Sequence, residues 1–138
     1  MRKIINNFVE KISLKKAVIA TVVFGFMLWL IDYSPIGVSG LLRRTGGPSI
    51  LDFESGYSVD EGYAMLEALG EAGRHFHLTK IMPLDIFFPF SLMACNFSWI
   101  CYFLKKLTKE GNMLRLLPVV SVVNMLLDWT ENIGITAM

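Results

Sequence analysis

Three apolar runs set the plan of this chain. The first is AVIATVVFGFMLWLI, residues 17–31, closed by Asp32 and Tyr33. The second lies in residues 83–104 and follows a cluster of ionisable side chains, Arg74, His75, His77, Lys80 and Asp85. The third occupies residues 113–138. About 20 mostly apolar residues are what a helix needs to cross the hydrocarbon core of a bilayer. The pattern therefore predicts an all-α integral membrane bundle with transmembrane helices at 17–33, 83–104 and 113–138. A signal peptide is the competing reading of the first run, since Val38, Ser39 and Gly40 resemble a small-residue cleavage site. The long basic lead, and Trp29 and Tyr33 placed like an interfacial anchor, favour a span.

Between the runs the rhythm changes. Residues 1–16 place Ile4, Ile5, Phe8, Val9 and Ile12 at helical spacing among polar residues, which predicts a basic amphipathic arm on the inner membrane surface. Residues 34–82 form the outer loop. Its first half, SPIGVSGLLRRTGGPS, is rich in Gly, Pro and Ser and reads as irregular. Its second half predicts an acidic amphipathic helix over about 59–73, opened by a capping box of Ser58 and Glu61. Pro89 near the start of the second span predicts a kink. Residues 105–112 make a short inner connection, with Gly111 and Asn112 as the turn signal.

Composition supports the membrane reading. Of 138 residues, 54% are hydrophobic and 18% charged, and the mean hydropathy of +0.51 is too high for an ordinary soluble domain. The net charge of +1 hides a segregation: Lys and Arg concentrate in the N-terminal arm and between Lys105 and Arg115. A positive-inside topology follows, with the N-terminus cytoplasmic and a bacterial cytoplasmic membrane as the default location. No nucleic-acid partner is expected, because the basic residues flank spans and lack interleaved aromatics. Cys95 and Cys101, six residues apart on one helix, point about 240° apart and cannot form a disulfide without breaking it.

Polar residues within the spans carry the candidate chemistry. Ser121, Asn124, Asp128 and Glu131 or Asn132 form one stripe on the third helix, which must face protein or water. Counting depth at about 1.5 Å per residue puts Asn96 about 12 Å and Asn124 about 13 Å above the inner boundary, an expected interhelical hydrogen bond. The same count gathers Asp32, Asp85, Asp128, Glu131 and Asn132 at the outer ends of the three helices, where the loop delivers Arg74, His75 and His77. Clustered carboxylates raise one another's pKa unless a cation shares the site. Arg74 could supply that cation by tying Asp85 to Asp128 in a purely structural network. A zinc, manganese or iron ion held by His75 or His77 with Asp85, Asp128 and Glu131 is the alternative, although no HExxH-like spacing is present. A catalytic acid and base pair among Asp85, Asp128 and Glu131, with Arg74 as an electrophilic clamp, is a third reading. No particular cofactor is implied.

The segments YSVDEGYAMLEALGEAGRHFH, LDIFFPF and LDWTENI together resemble a family of small, uncharacterised multi-spanning membrane proteins. That family has a GR after an amphipathic loop helix, a D-x-x-(F/Y)-P helix start and a D-x-x-E-N motif. The matching positions are Gly73, Arg74, Asp85, Pro89, Asp128, Glu131 and Asn132, and the resemblance covers residues 50–138. It implies a fourth span after the D-x-x-E-N motif, or completion of the polar stripe by another subunit, and it supplies no activity.

The functional expectation is a binding or accessory role in the bilayer, with the outward polar cluster engaging a ligand, a membrane partner subunit or a second copy of the chain. The alternative is a membrane-embedded enzyme, metal-dependent or not, acting on a lipid-like substrate at the outer leaflet. A transporter ranks third, since three spans enclose no pathway without oligomerisation.

Overall fold

The computed structural model describes residues 2–46, 56 and 58–136, with side chains described as far as Gly134. Residues 47–55 and 57 of the predicted loop, and the last two residues of the third predicted span, lie outside that set. All regular structure among the described residues is helical. The elements are α1 (Arg2–Lys11), α2 (Leu14–Tyr33), α3 (Val38–Thr45), α4 (Val59–Phe76), a π-helical turn (His77–Ile81), α5 (Met82–Leu107), a 3-10 turn (Met113–Leu116) and α6 (Pro118–Thr136). Three helical stretches, containing α2, α5 and α6, are long and apolar enough to cross a membrane. The chain is thus an all-α helical bundle compatible with an integral membrane protein.

Helix α5 is the centre of the bundle, packing against α2 and against α6. The α2–α5 seam is fixed by Thr21, whose Oγ1 accepts from Trp99 Nε1 at 2.8 Å and lies 3.6 Å from Cys95 Sγ. Phe24 and Phe88 meet in the same seam, with ring centroids 5.7 Å apart. Both cysteines are free and buried, so they act as packing residues. Helix α2 starts at Leu14, three residues before the predicted span, because the Ser13 side chain caps it by accepting from the Lys16 backbone N–H.

The amphipathic arm forms as α1, and part of its apolar face docks on protein while Ile4 and Phe8 stay exposed. Ile5 and Val9 are buried against Cys101 and Leu104 of α5, and Phe8 meets Phe97 edge to face.

The outer loop departs further from expectation. Its first half is not wholly irregular: Val38–Thr45 forms α3, ended by Gly46 in the left-handed conformation. Gly and Pro there mark the ends of a short helix instead of a coil. The capping box is present as predicted, with Glu61 N–H donating to Ser58 Oγ at 3.3 Å and Ser58 N–H donating to Glu61 Oε2 at 2.7 Å. Helix α4 is broken at Gly70, whose φ of 64° and ψ of 177° are non-helical and favour a residue without Cβ. Beyond the break the chain stays helical through the π turn into α5, so no loop separates the amphipathic helix from the second span.

A small core forms where α3, α4 and the π turn meet, made of Val38, Leu41, Leu69, Phe76 and Ile81. Gly73 permits that approach. A Cβ there would stand 2.8 Å from Thr45 Cγ2 and 3.2 Å from Leu69 Cβ.

Candidate functional site

The best-defined polar contacts of the loop end form around Pro89. Proline has no N–H, so the carbonyl four residues earlier loses its helical donor. That residue is Asp85. Its carbonyl instead accepts from Asn132 Nδ2 of α6 at 3.3 Å. One residue on, the Ile86 carbonyl accepts from Trp129 Nε1 at 3.0 Å. Trp129 and Asn132, three residues apart on α6, share a face. Asp85, Pro89 and Asn132 are all buried. These residues thus join α5 to α6 through the backbone of a proline-interrupted turn.

Beside this joint lies an open groove of about 690 Å³. Leu78, Met82, Pro83 and Ile86 line it on one side, and Trp129, Asn132 and Ile133 of α6 on the other. Its volume falls in the range of small-molecule sites, about 300–1,000 Å³, and its lining is mostly apolar with one amide, as such sites usually are.

The other predicted site residues are not assembled with it. Arg74 is exposed and its Nη1 donates to the Leu66 carbonyl of its own helix at 2.8 Å. It does not bridge Asp85 and Asp128. An arginine near a helix end commonly caps carbonyls in this way, and here the break at Gly70 creates such an end. Asp32 is half-buried in the last turn of α2, where its backbone carbonyl accepts from Ser39 Oγ at 2.7 Å. Asp128 is half-buried and Glu131 exposed, both on α6. Among the described residues no three His, Cys, Asp or Glu side chains come together closely enough to hold a metal ion. Asp128 and Glu131 lie about one turn apart on α6, while Asp32 and Asp85 belong to α2 and α5.

His75 is exposed. His77, the first residue of the π turn, is buried and its Nε2 has no hydrogen-bond partner. Burial holds its pKa below the ordinary imidazole value, so the ring is neutral at pH 7. The expected hydrogen bond between Asn96 and Asn124 is not formed. Both amides are exposed, and Thr21, Cys95 and Trp99 supply the polar contact within the bundle instead.

Two features escaped the sequence reading. Trp129 is a donor that apolar periodicity does not mark, although its place three residues before Asn132 is visible in LDWTENI. In the sequence Arg115 reads only as a topology-setting charge. In the structure it is buried, and it donates to Glu10 Oε1 at 2.8 Å, to Thr108 Oγ1 at 3.1 Å and to the Thr108 carbonyl at 2.7 Å. Lys105 Nζ donates to the Glu10 carbonyl as well. No local signal links Glu10 to Arg115, which lie far apart in the chain.

Scans of protein-family models, of curated proteins and of solved structures each return no match.

Proposed function

We propose that this chain is a membrane-embedded binding or accessory protein whose α5–α6 groove receives the apolar portion of an amphipathic, lipid-like ligand. The observation that carries this reading is the groove itself, apolar and bounded by Trp129 and Asn132, the two residues that lock α6 to α5. A locked wall gives the ligand a preformed site, which lowers the ordering cost of binding. The concentration of Lys and Arg at the end of the bundle with α1 supports placing that end on the cytoplasmic side of a bacterial membrane. The groove then opens at the level of the outer leaflet. An enzymatic reading has less support, because among the described residues no three His, Cys, Asp or Glu side chains come together.

The test is native mass spectrometry of the protein released from mild detergent. A retained lipid-like adduct is expected in the parent, and Ile86→Trp, which fills the groove, should reduce its occupancy several-fold while leaving the helical circular dichroism unchanged. Equal occupancy in parent and variant would refute the groove as the binding place.

A further inference from the structure

The flank of α6 away from the groove poses a separate question. Asn124 sits at the middle of the apolar stretch Met113–Gly134, and it is exposed. Asn96 sits near the middle of α5 and is exposed too. Neither makes a hydrogen bond within the chain. A mid-membrane amide facing hydrocarbon is unfavourable, and such side chains normally face protein or water. Asn124, Asp128 and Glu131 lie within about 60° of one another on α6, whereas Ile133 of the groove is about 180° from Asn124. The polar flank and the groove's Trp129 and Ile133 thus lie on either side of buried Asn132, which is about 80° from Asn124.

We propose that two copies of this chain associate in the membrane through the α6 flank bearing Asn124, Asp128 and Glu131. Two arguments select a second copy as the occupant. An asparagine carries both donor and acceptor, so two equivalent amides at the same depth satisfy each other, and copies inserted in the same direction bring equal depths together. Isologous pairing of this kind is the commonest form of homo-oligomer. The second argument is charge. At the loop end Arg43 and Lys80 are exposed while Asp128 and Glu131 stand on α6, yet the ion pairing among the described residues is confined to Glu10 and Arg115 at the opposite end. Acids on facing flanks need cations between them, and each copy carries unpaired cations to that end. Since Asn132 meets the Asp85 carbonyl and the two helices are antiparallel, Glu131 lies about 9 Å along the bundle from the level of Lys80.

The experiment reconstitutes the full chain in liposomes. In a background with Cys95→Ala and Cys101→Ala, Asn124→Cys is compared with Leu126→Cys, a position of similar depth on another face, for oxidative cross-linking between copies. In parallel, association is followed by energy transfer between labelled copies of the parent and of Asn124→Leu across a range of protein-to-lipid ratios. Expected are a cross-link at Asn124→Cys but not at Leu126→Cys, and a shift of about ten-fold toward higher protein-to-lipid ratio for association of Asn124→Leu. A monomeric parent, preferential cross-linking at Leu126→Cys, or association unaltered by Asn124→Leu would each overturn the proposal. The groove is untouched by these substitutions, so ligand retention and pairing can fail independently.

Discussion

The two ends of the bundle solve the same problem in opposite ways. At the basic end, Arg115 is buried with its guanidinium bonded to Glu10 and Thr108, and Lys105 closes on the Glu10 carbonyl. At the loop end, ionisable groups are more numerous but less joined: Arg74 turns back on its own helix, Asp128 and Glu131 share α6 without a cation, and His77 is buried with an idle nitrogen. What holds the loop end is backbone and packing, through Asn132, Trp129 and the close approach at Gly73. A satisfied charge network specifies one arrangement of its parts. An end held by backbone bonds leaves its charged groups available to something outside the chain.

The strongest way to break this contrast is Arg115→Ala. Removing one partner of a buried ion pair costs about 3–5 kcal/mol, and because Glu10 is half exposed the lower end of that range is expected. The loss should appear as a lower midpoint in sodium dodecyl sulfate unfolding, accompanied by proteolytic release of α1. A midpoint within error of the parent would show that the network contributes nothing.

Gly73→Ala tests the packing of the loop end. Overpacking costs about 1–3 kcal/mol, offset by up to about 1 kcal/mol of improved helix propensity. Thr45→Ser, which removes the methyl group nearest the added carbon, should recover most of the loss. Failure of that rescue would mean the strain lies elsewhere.

Asn132→Leu sharpens the comparison by removing the amide that bonds the Asp85 carbonyl at the loop end. About 1 kcal/mol is expected, typical of a polar contact between membrane helices, and the same unfolding assay reads it. In a chain where Pro89 is replaced by Ala, the Asp85 carbonyl regains a helical donor, so Asn132→Leu should cost less there. An equal cost in both backgrounds would sever Pro89 from Asn132.

The smallest effect concerns His77. Burial lowers its pKa in the folded state, so folding favours the neutral ring. Its contribution is therefore intact above about pH 6.5, the ordinary imidazole value, and declines as pH falls below that toward the folded-state value. His77→Leu should flatten the stability profile between pH 7 and pH 5 and be neutral or stabilising at pH 7, since it removes an unsatisfied buried polar group. A profile of the same slope in the variant would assign the pH dependence to another group.

Much of the architecture could be read from the chain because apolar run length is a local property. The three long helices, the capping box at Ser58 and the inability of Cys95 and Cys101 to pair all follow from spacing. The site was less legible. Depth counting put Asp32, Asp85, Asp128 and Glu131 at one level, but a level is not a location, and rotation about each helix axis depends on packing. Asn96 and Asn124 failed as a pair for that reason. Glu10 and Arg115 went unseen because their meeting depends on how α1 folds back on α5, which no short-range pattern encodes. The joint at Pro89 was half visible: the missing N–H could be counted from sequence, while the donor that replaces it could not.

That joint also bears on how the protein enters its membrane. Inside hydrocarbon each unsatisfied backbone group costs several kcal/mol, and α5 carries a carbonyl at Asp85 that Asn132 serves only once α6 is beside it. A nascent α5 is thus poorly suited to move into lipid alone. The short connection from Thr108 to Leu117 places α6 directly after α5 in the chain, so the donor that serves the Asp85 carbonyl follows closely behind the proline that leaves it open.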